Sequence, residues 1–252
     1  MKVNHFLRVL SLGVAIPILT PLGTPAVLAQ DASIKKISKV LQNNLNKKNT
    51  QAFRIVFSKK EALKLENQYQ NFQDRFPNAK WTIEKSKNLK DGRNSINIKI
   101  KGKKDKGDHL YKLESKQKIG FDIKEDKFIN PEILHSYSIL KSGNNEIPIR
   151  ISIPNSVLTG TKYDIDLILE NPINDIIIAG GLINLTKRHI ETQNIPSIEL
   201  SPLGGGGLFK SVQAPINPGS QYWGAVIAHP DGIISITKLV RIVENKSDIS
   251  LY

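Results

Sequence analysis

Gly204-Gly205-Gly206-Gly207-Leu208-Phe209-Lys210-Ser211 is the string in this chain that comes closest to a chemical motif. A phosphate-binding loop needs Gly, four residues and then Gly-Lys-Ser, so that successive backbone N–H groups wrap the phosphate. Phe209 stands where the second glycine is required, and the following residues read as a strand rather than a phosphate-facing helix. Nucleotide is therefore not an expected partner. The string reads as a loop between strands, or as a place of tight backbone approach to a partner. His109, His135, His189 and His229 do not fall at metal-ligand spacing, and the chain has no Gly-x-Ser-x-Gly elbow for a nucleophilic serine. The acidic run Asp122-Ile123-Lys124-Glu125-Asp126 reads as a hairpin turn with its charges in water, not as a buried catalytic carboxylate. With no cysteine, the chain has no disulfide, thiolate chemistry, Cys-ligated metal or Cys-linked lipid. No catalytic residue, metal or cofactor is expected.

The elements that would position a site begin with helices. Ile34, Ile37, Leu41 and Leu45 recur at helical spacing. Ser58 followed by Glu61 is a capping-box pattern, and the helix it starts places Leu65, Tyr69, Phe72 and Phe76 on one face before Pro77 ends it. The stretch 52–57 fits helix or strand. From Trp81 the period becomes two. Ile96, Ile98 and Ile100 alternate with Asn97, Lys99 and Lys101, and a longer alternation runs from Tyr111 to Ile123. One or two further strands lie in 128–140. Helices followed by an antiparallel meander predict an α+β roll, with one sheet face on the helices and the other wet.

Two features of that sheet bear on function. Ser115 and Gln117 interrupt an otherwise apolar inner face, where they either orient a small ligand or hydrogen-bond internally. On the outer face Lys99, Lys101, Lys112, Lys116 and Lys118 project together, with Lys103, Lys104 and Lys106 expected in the loop between the strands. Such a patch attracts an anionic membrane surface, an acidic partner or a polyanion, unless it serves only to keep the sheet soluble. Aromatic residues make up 6% of the chain, too few for the stacking platforms of nucleic-acid binding, so nucleic acid is not an expected partner.

Charge divides the chain. Residues 30–150 carry 27 basic and 14 acidic side chains, whereas 151–252 carry 7 and 9. The second half reads as all β, with strands expected at 147–153, 162–170, 175–186, 198–200, 208–213, 221–229 and 233–243. His229-Pro230-Asp231-Gly232 forms a hairpin turn. That number and rhythm suggest an immunoglobulin-like β-sandwich. The expected organisation is a roll over 30–143 and a sandwich over 144–252, divided at the turn-rich stretch 142–145.

Residues 1–29 read as a Sec-type signal peptide: basic Lys2 and Arg8, an apolar run over 9–19, and small residues before a cut after Ala29. This predicts export to periplasm, thylakoid lumen or medium. The first unit resembles the nuclear-transport-factor-2-like (cystatin-like roll) superfamily, notably in IGFDIKEDKFINPEILHSYSILKSG. The whole chain is similar to uncharacterised exported proteins of cyanobacteria, through SPLGGGGLFKSVQAP and HPDGIISITKLVRIV. The resemblance implies a cone between sheet and helices, in which enzymes of the superfamily often place Asp, His or Tyr. His135 and Tyr137, on one strand face, are the nearest candidates here. The leading functional expectation is a non-enzymatic exported binding or scaffold protein, for a small ligand or a protein partner. The alternatives are an isomerase or hydrolase using the cone, and a peripheral binder of an anionic surface through the lysine face.

Overall fold

Apolar residues at helical spacing give three helices at the start: α1 (Pro25–Asn46), α2 (Gln51–Val56) and α3 (Lys59–Arg75). The ambiguous stretch 52–57 is thus largely helical. The computed structural model describes residues 25–107, 109–143, 148–170, 178–194, 196–203 and 206–251. The expected signal segment lies outside these up to residue 24, and the expected cut after Ala29 falls within the backbone span of α1. At the start of α3 the Ser58 hydroxyl accepts from the Glu61 backbone N–H at 3.3 Å and donates to the Glu61 carboxylate at 2.7 Å. The cap therefore closes through the hydroxyl, not through the reciprocal backbone bond that the sequence pattern predicts.

An antiparallel meander follows: β1 (Lys80–Lys85), β2 (Asn94–Lys106), β3 (His109–Lys124) and β4 (Lys127–Ser142). β2 runs on to Lys106, so Lys103 and Lys104 belong to the strand and not to a loop. β1 is an edge strand, and α1 covers its free backbone groups. Asn46 accepts from Trp81 N at 2.8 Å and donates to Trp81 O at 2.9 Å, and Gln42 accepts from Ile83 N at 2.8 Å.

The second half contributes β5 (Ile149–Ser152), β6 (Ser156–Leu158), β7 (Lys162–Leu169), β8 (Ala179–Leu185), α4 (Lys187–Thr192), β9 (Ser201–Pro202), β10 (Gly207–Gln213), β11 (Gly219–His229), β12 (Gly232–Val243) and α5 (Lys246–Ile249). Residues 198–200 form no strand; β9 lies just beyond them and pairs with β8. Neither β6 nor α4 is signalled by sequence periodicity, because each is shorter than the window over which a period can be read.

The strands form two sheets. Nine of them make one sheet along the path β1-β2-β3-β4-β12-β11-β8-β9, with β6 beside β12, and β10-β7-β5 make a smaller one. The meander thus continues into the second half without a break. Tyr137–Lys141 of β4 pair antiparallel with Ile234–Lys238 of β12. The large sheet is covered on opposite faces at its two ends. The N-terminal helices pack on Ile96, Ile98, Ile100 and Phe121. The small sheet packs on Ile139, Ala225, Ile227, Ile234 and Ile236, giving the second half a sandwich-like core. A buried Trp223 Nε1–H donates to Tyr163 Oη at 2.9 Å and ties the two layers together.

Part of the glycine run has a local explanation. Gly206 takes φ +73°, and a Cβ on Gly207 would lie 2.4 Å from Leu167 O, so β10 meets β7 only through bare backbone. Gly204 and Gly205 lie outside the described residues.

The junction after β4 is equally tight. Gly143 (φ +105°) and Gly232 (φ +149°) face each other, and a Cβ on either would stand 1.8 Å from the Asp231 or Ser142 carbonyl oxygen respectively. Ser142 Oγ also accepts from Ile233 N at 3.0 Å. Because the ladder beside this lock is central to one sheet, both halves are expected to unfold in a single transition. Gly143→Ala or Gly232→Ala should lower stability by about 1–3 kcal/mol, the cost of a forced backbone conformation. Urea unfolding followed by far-UV dichroism and by tryptophan emission (Trp81 and Trp223 lie in different cores) tests both, since the two midpoints should coincide and move together.

Candidate ligand cavity and the lysine face

Between the helices and the large sheet lies a cavity of about 410 Å³. One end of the helix–sheet interface is solid: Phe121 and Phe128 are fully buried and stack at 3.8 Å between ring centroids. The other end is open space whose apolar walls include Phe72, Phe76 and Trp81. Phe72 meets Trp81 edge-on at 5.5 Å and stacks on Phe76 at 5.7 Å, so these rings wall the space without filling it.

The floor is polar, and cross-strand register explains its composition. Ser115 stands opposite Ser138, Gln117 opposite Ser136, and Ser138 in turn opposite Thr237 of β12. Residues directly opposite one another share a face of the sheet. Ser115, Gln117, Ser136, Ser138, Ser235 and Thr237 all line the cavity. Among the described residues no side-chain hydrogen bond is recorded for any of the six, so their donors and acceptors are left to the cavity.

Ser115 and Gln117 therefore sit where their place on the alternating strand puts them. His135 and Tyr137 do not. They pair with Lys118 and Lys116 and share the outer, lysine-bearing face, while Ser136 and Ser138 take the inner one. The sequence misleads here because β4 serves two cores. Its outer-face Ile139 is buried in the sandwich-like core with Tyr137 packed alongside, so the apolar side of this strand is not the cone side.

The second half supplies one edge of the cavity. Thr186 and His189 form a reciprocal capping box that starts α4, with N···O and N···N distances of 3.2 and 3.3 Å. His189, Ile190 and Gln193 then line the cavity opposite α3. Lys64 pairs with Glu191 at 2.5 Å, Gln68 Nε2 donates to Glu191 O at 3.2 Å, and Gln193 Nε2 donates to Gln68 O at 2.8 Å. Arg75 also donates to the Gln193 side chain. These bonds are exposed or half-buried, so this edge is weakly held by construction.

The lysine face exists as a surface. Lys99, Lys101 and Lys116 are exposed, Lys112 and Lys118 half-buried, and Glu114 among them pairs with Lys101 at 3.5 Å. Where this face meets the sandwich-like core, Lys238 is 5% exposed. Its ammonium donates to Asn155 Oδ1 and lies 3.3 Å from His135 Nδ1, with no carboxylate in ion-pair reach among the described residues. Burial lowers its pKa to about 8. Burial also pushes the His135 imidazole below its ordinary range, helped by the charges of Lys238, Lys116 and Lys118 and opposed by the bond to Asn155. Sequence periodicity does not single out Lys238, whose neighbours Ile236 and Val240 on the same face are plain core residues.

The sign of this linkage is fixed. The unfolded chain takes up a proton on Lys238 near 10.5 and the folded one near 8, so the unfavourable charge is fully present below pH 8 and relieved above it. Wild type should therefore gain stability relative to Lys238→Met as the pH rises from about 8 to 10.5, and thermal unfolding of the pair across that window measures it.

Residues 144–243 match a family described as a domain of unknown function (DUF8623), which covers the second half and assigns it no activity. No curated protein matches the chain.

Proposed function

We propose that this chain is an exported, non-enzymatic binding protein that holds a small, largely apolar ligand in the cone of a nuclear-transport-factor-2-like roll, continued into an immunoglobulin-like sandwich. The observation that carries this reading is the cavity of about 410 Å³ with aromatic walls and a floor of hydroxyl and amide groups whose side chains have no hydrogen-bond partner among the described residues. Its size and make-up suit a ligand whose bulk is apolar and whose one or two polar groups are fixed by hydrogen bonds. The ligand would enter beside α4, whose weak contacts with α3 can open at small cost.

The enzyme alternative is less well supported. Among the described residues the lining contains no Asp or Glu, and its imidazole, on His189, already accepts from Thr186 N in the capping box. An isomerase or hydrolase would need a general base within reach of its substrate.

The test uses N-phenyl-1-naphthylamine, a neutral fluorophore that the lysine face does not attract. Saturable binding at one site per chain is expected. Ser138→Leu should reduce affinity at least about tenfold by filling the floor, since overpacking a closed site typically costs about 1–3 kcal/mol. Ser115→Val, which keeps the volume, should weaken a hydrogen-bonding ligand more than the fluorophore. Equal fluorophore binding by wild type and a folded Ser138→Leu protein would remove the cone from consideration.

A further inference from the structure

We propose that the seam where the lysine face meets the sandwich-like core is a binding site for a phosphate-type oxyanion, held by Lys116 and Lys238 around Tyr137 and His135. The row that builds it crosses four adjacent strands: Lys99 of β2 stands opposite Lys116 of β3, Lys116 opposite Tyr137 of β4, and Tyr137 opposite Lys238 of β12. In the neighbouring row Lys118 stands opposite His135. Strands lie about 4.8 Å apart, so Lys116 and Lys238 start roughly 10 Å apart on one face, within reach of a common anion for side chains of their length.

Two costs in this arrangement call for such an anion. Like charges directly opposed across a sheet destabilise it, and Lys99 with Lys116 is such a pair. A buried ammonium without a carboxylate is more costly still, and among the described residues the polar partners of Lys238 are the neutral Asn155 and the imidazole of His135. Glu114, an acid on this face whose charge reaches Tyr137, is engaged by Lys101 one row away. An oxyanion placed over Tyr137 would accept charge-assisted hydrogen bonds from the lysines and remove both costs at once. Burial lowers the proton affinity of Lys238, and burial together with the charges of Lys238, Lys116 and Lys118 lowers that of His135. This site is separate from the cone, which lies on the opposite face of the sheet.

The experiment titrates the full chain with inorganic phosphate at pH 7 and constant ionic strength, reading heat and the ring resonances of His135. A saturable response that shifts those resonances is expected. Lys116→Gln and Lys238→Met should each weaken it about tenfold, the effect of losing one charge-assisted hydrogen bond. Lys36→Gln, on exposed α1 surface, should leave it unchanged. Lys116 is exposed, so its variant remains informative if Lys238→Met does not fold. Co-sedimentation with phosphatidylglycerol vesicles, compared with phosphatidylcholine, separates the sources of the anion. Sedimentation lost in Lys116→Gln assigns the site to a lipid headgroup, and phosphate binding without sedimentation assigns it to a soluble anion. Absence of both responses, or responses that survive both lysine substitutions, overturns the proposal.

Discussion

The ladder between Tyr137–Lys141 and Ile234–Lys238 determines what the other parts of the molecule can be. Backbone hydrogen bonding across it makes one sheet from strands about a hundred residues apart. The two faces of that sheet must then be buried by different layers at its two ends. Helices take one face at the β1–β4 end, and the β10-β7-β5 sheet takes the other at the β12–β8 end. β4 and β12 lie in the overlap, with burial demanded on both sides. Lys127–Ser142 and Gly232–Val243 are accordingly among the longest strands, and β12 is buried at every position from Lys238 to Val243.

The cavity follows from this overlap. A strand buried on both sides would ordinarily be apolar throughout. β4 and β12 instead present Ser136, Ser138, Ser235 and Thr237 towards the cavity and Ile139, Ile234 and Ile236 towards the sandwich-like side. Small side chains on the floor, set against large aromatic rings on the helices, leave space that neither layer fills. The interior of a folded domain is normally close-packed, so a void of this size, bounded by polar side chains without a partner among the described residues, is an expensive feature unless something occupies it. The stability lost to the void must be met elsewhere. The fully buried Phe121–Phe128 stack at one end of the helix–sheet interface and the Ile234–Ile236 core on the other face are where the packing is dense.

Much of the architecture was legible in the sequence, because local periodicity survives into the structure. The faces of α1 and α3, the meander, the lysine-bearing outer face and the place of Ser115 and Gln117 all follow from periods of 3.6 and 2. The parts that escaped depend on pairing between distant segments. His135 and Tyr137 read as inner-face residues because the apolar side of an isolated β4 is taken to be its core side. Once β12 supplies a second core, that inference reverses. Ser235 and Thr237 could not be assigned to the cone without knowing that β12 lies beside β4. Lys238 reads as an interruption in an apolar run until Asn155 and His135 are placed around it. Helix α4 is too short to declare a period, and its capping box, Thr186 with His189, uses a histidine where the usual pattern has Glu or Gln.

The same overlap explains why the charge is so unevenly placed. Over β2 and β3 the lysine-bearing outer face carries no packed layer among the described residues, so it must carry residues that tolerate water and discourage a second sheet from stacking there. Lysine meets that need, and the basic excess of residues 30–150 is concentrated on strands that would otherwise invite edge-on or face-on association. Protection of that kind accounts for Lys99 and Lys101, which stand in water. It does not account for Lys238, which lies under the small sheet's margin, where an apolar residue would pack better and cost nothing in solubility. Protection against aggregation therefore explains the field of lysines but not its buried end. An anion drawn to the field and seated at that end gives the buried lysine a physical reason to be there.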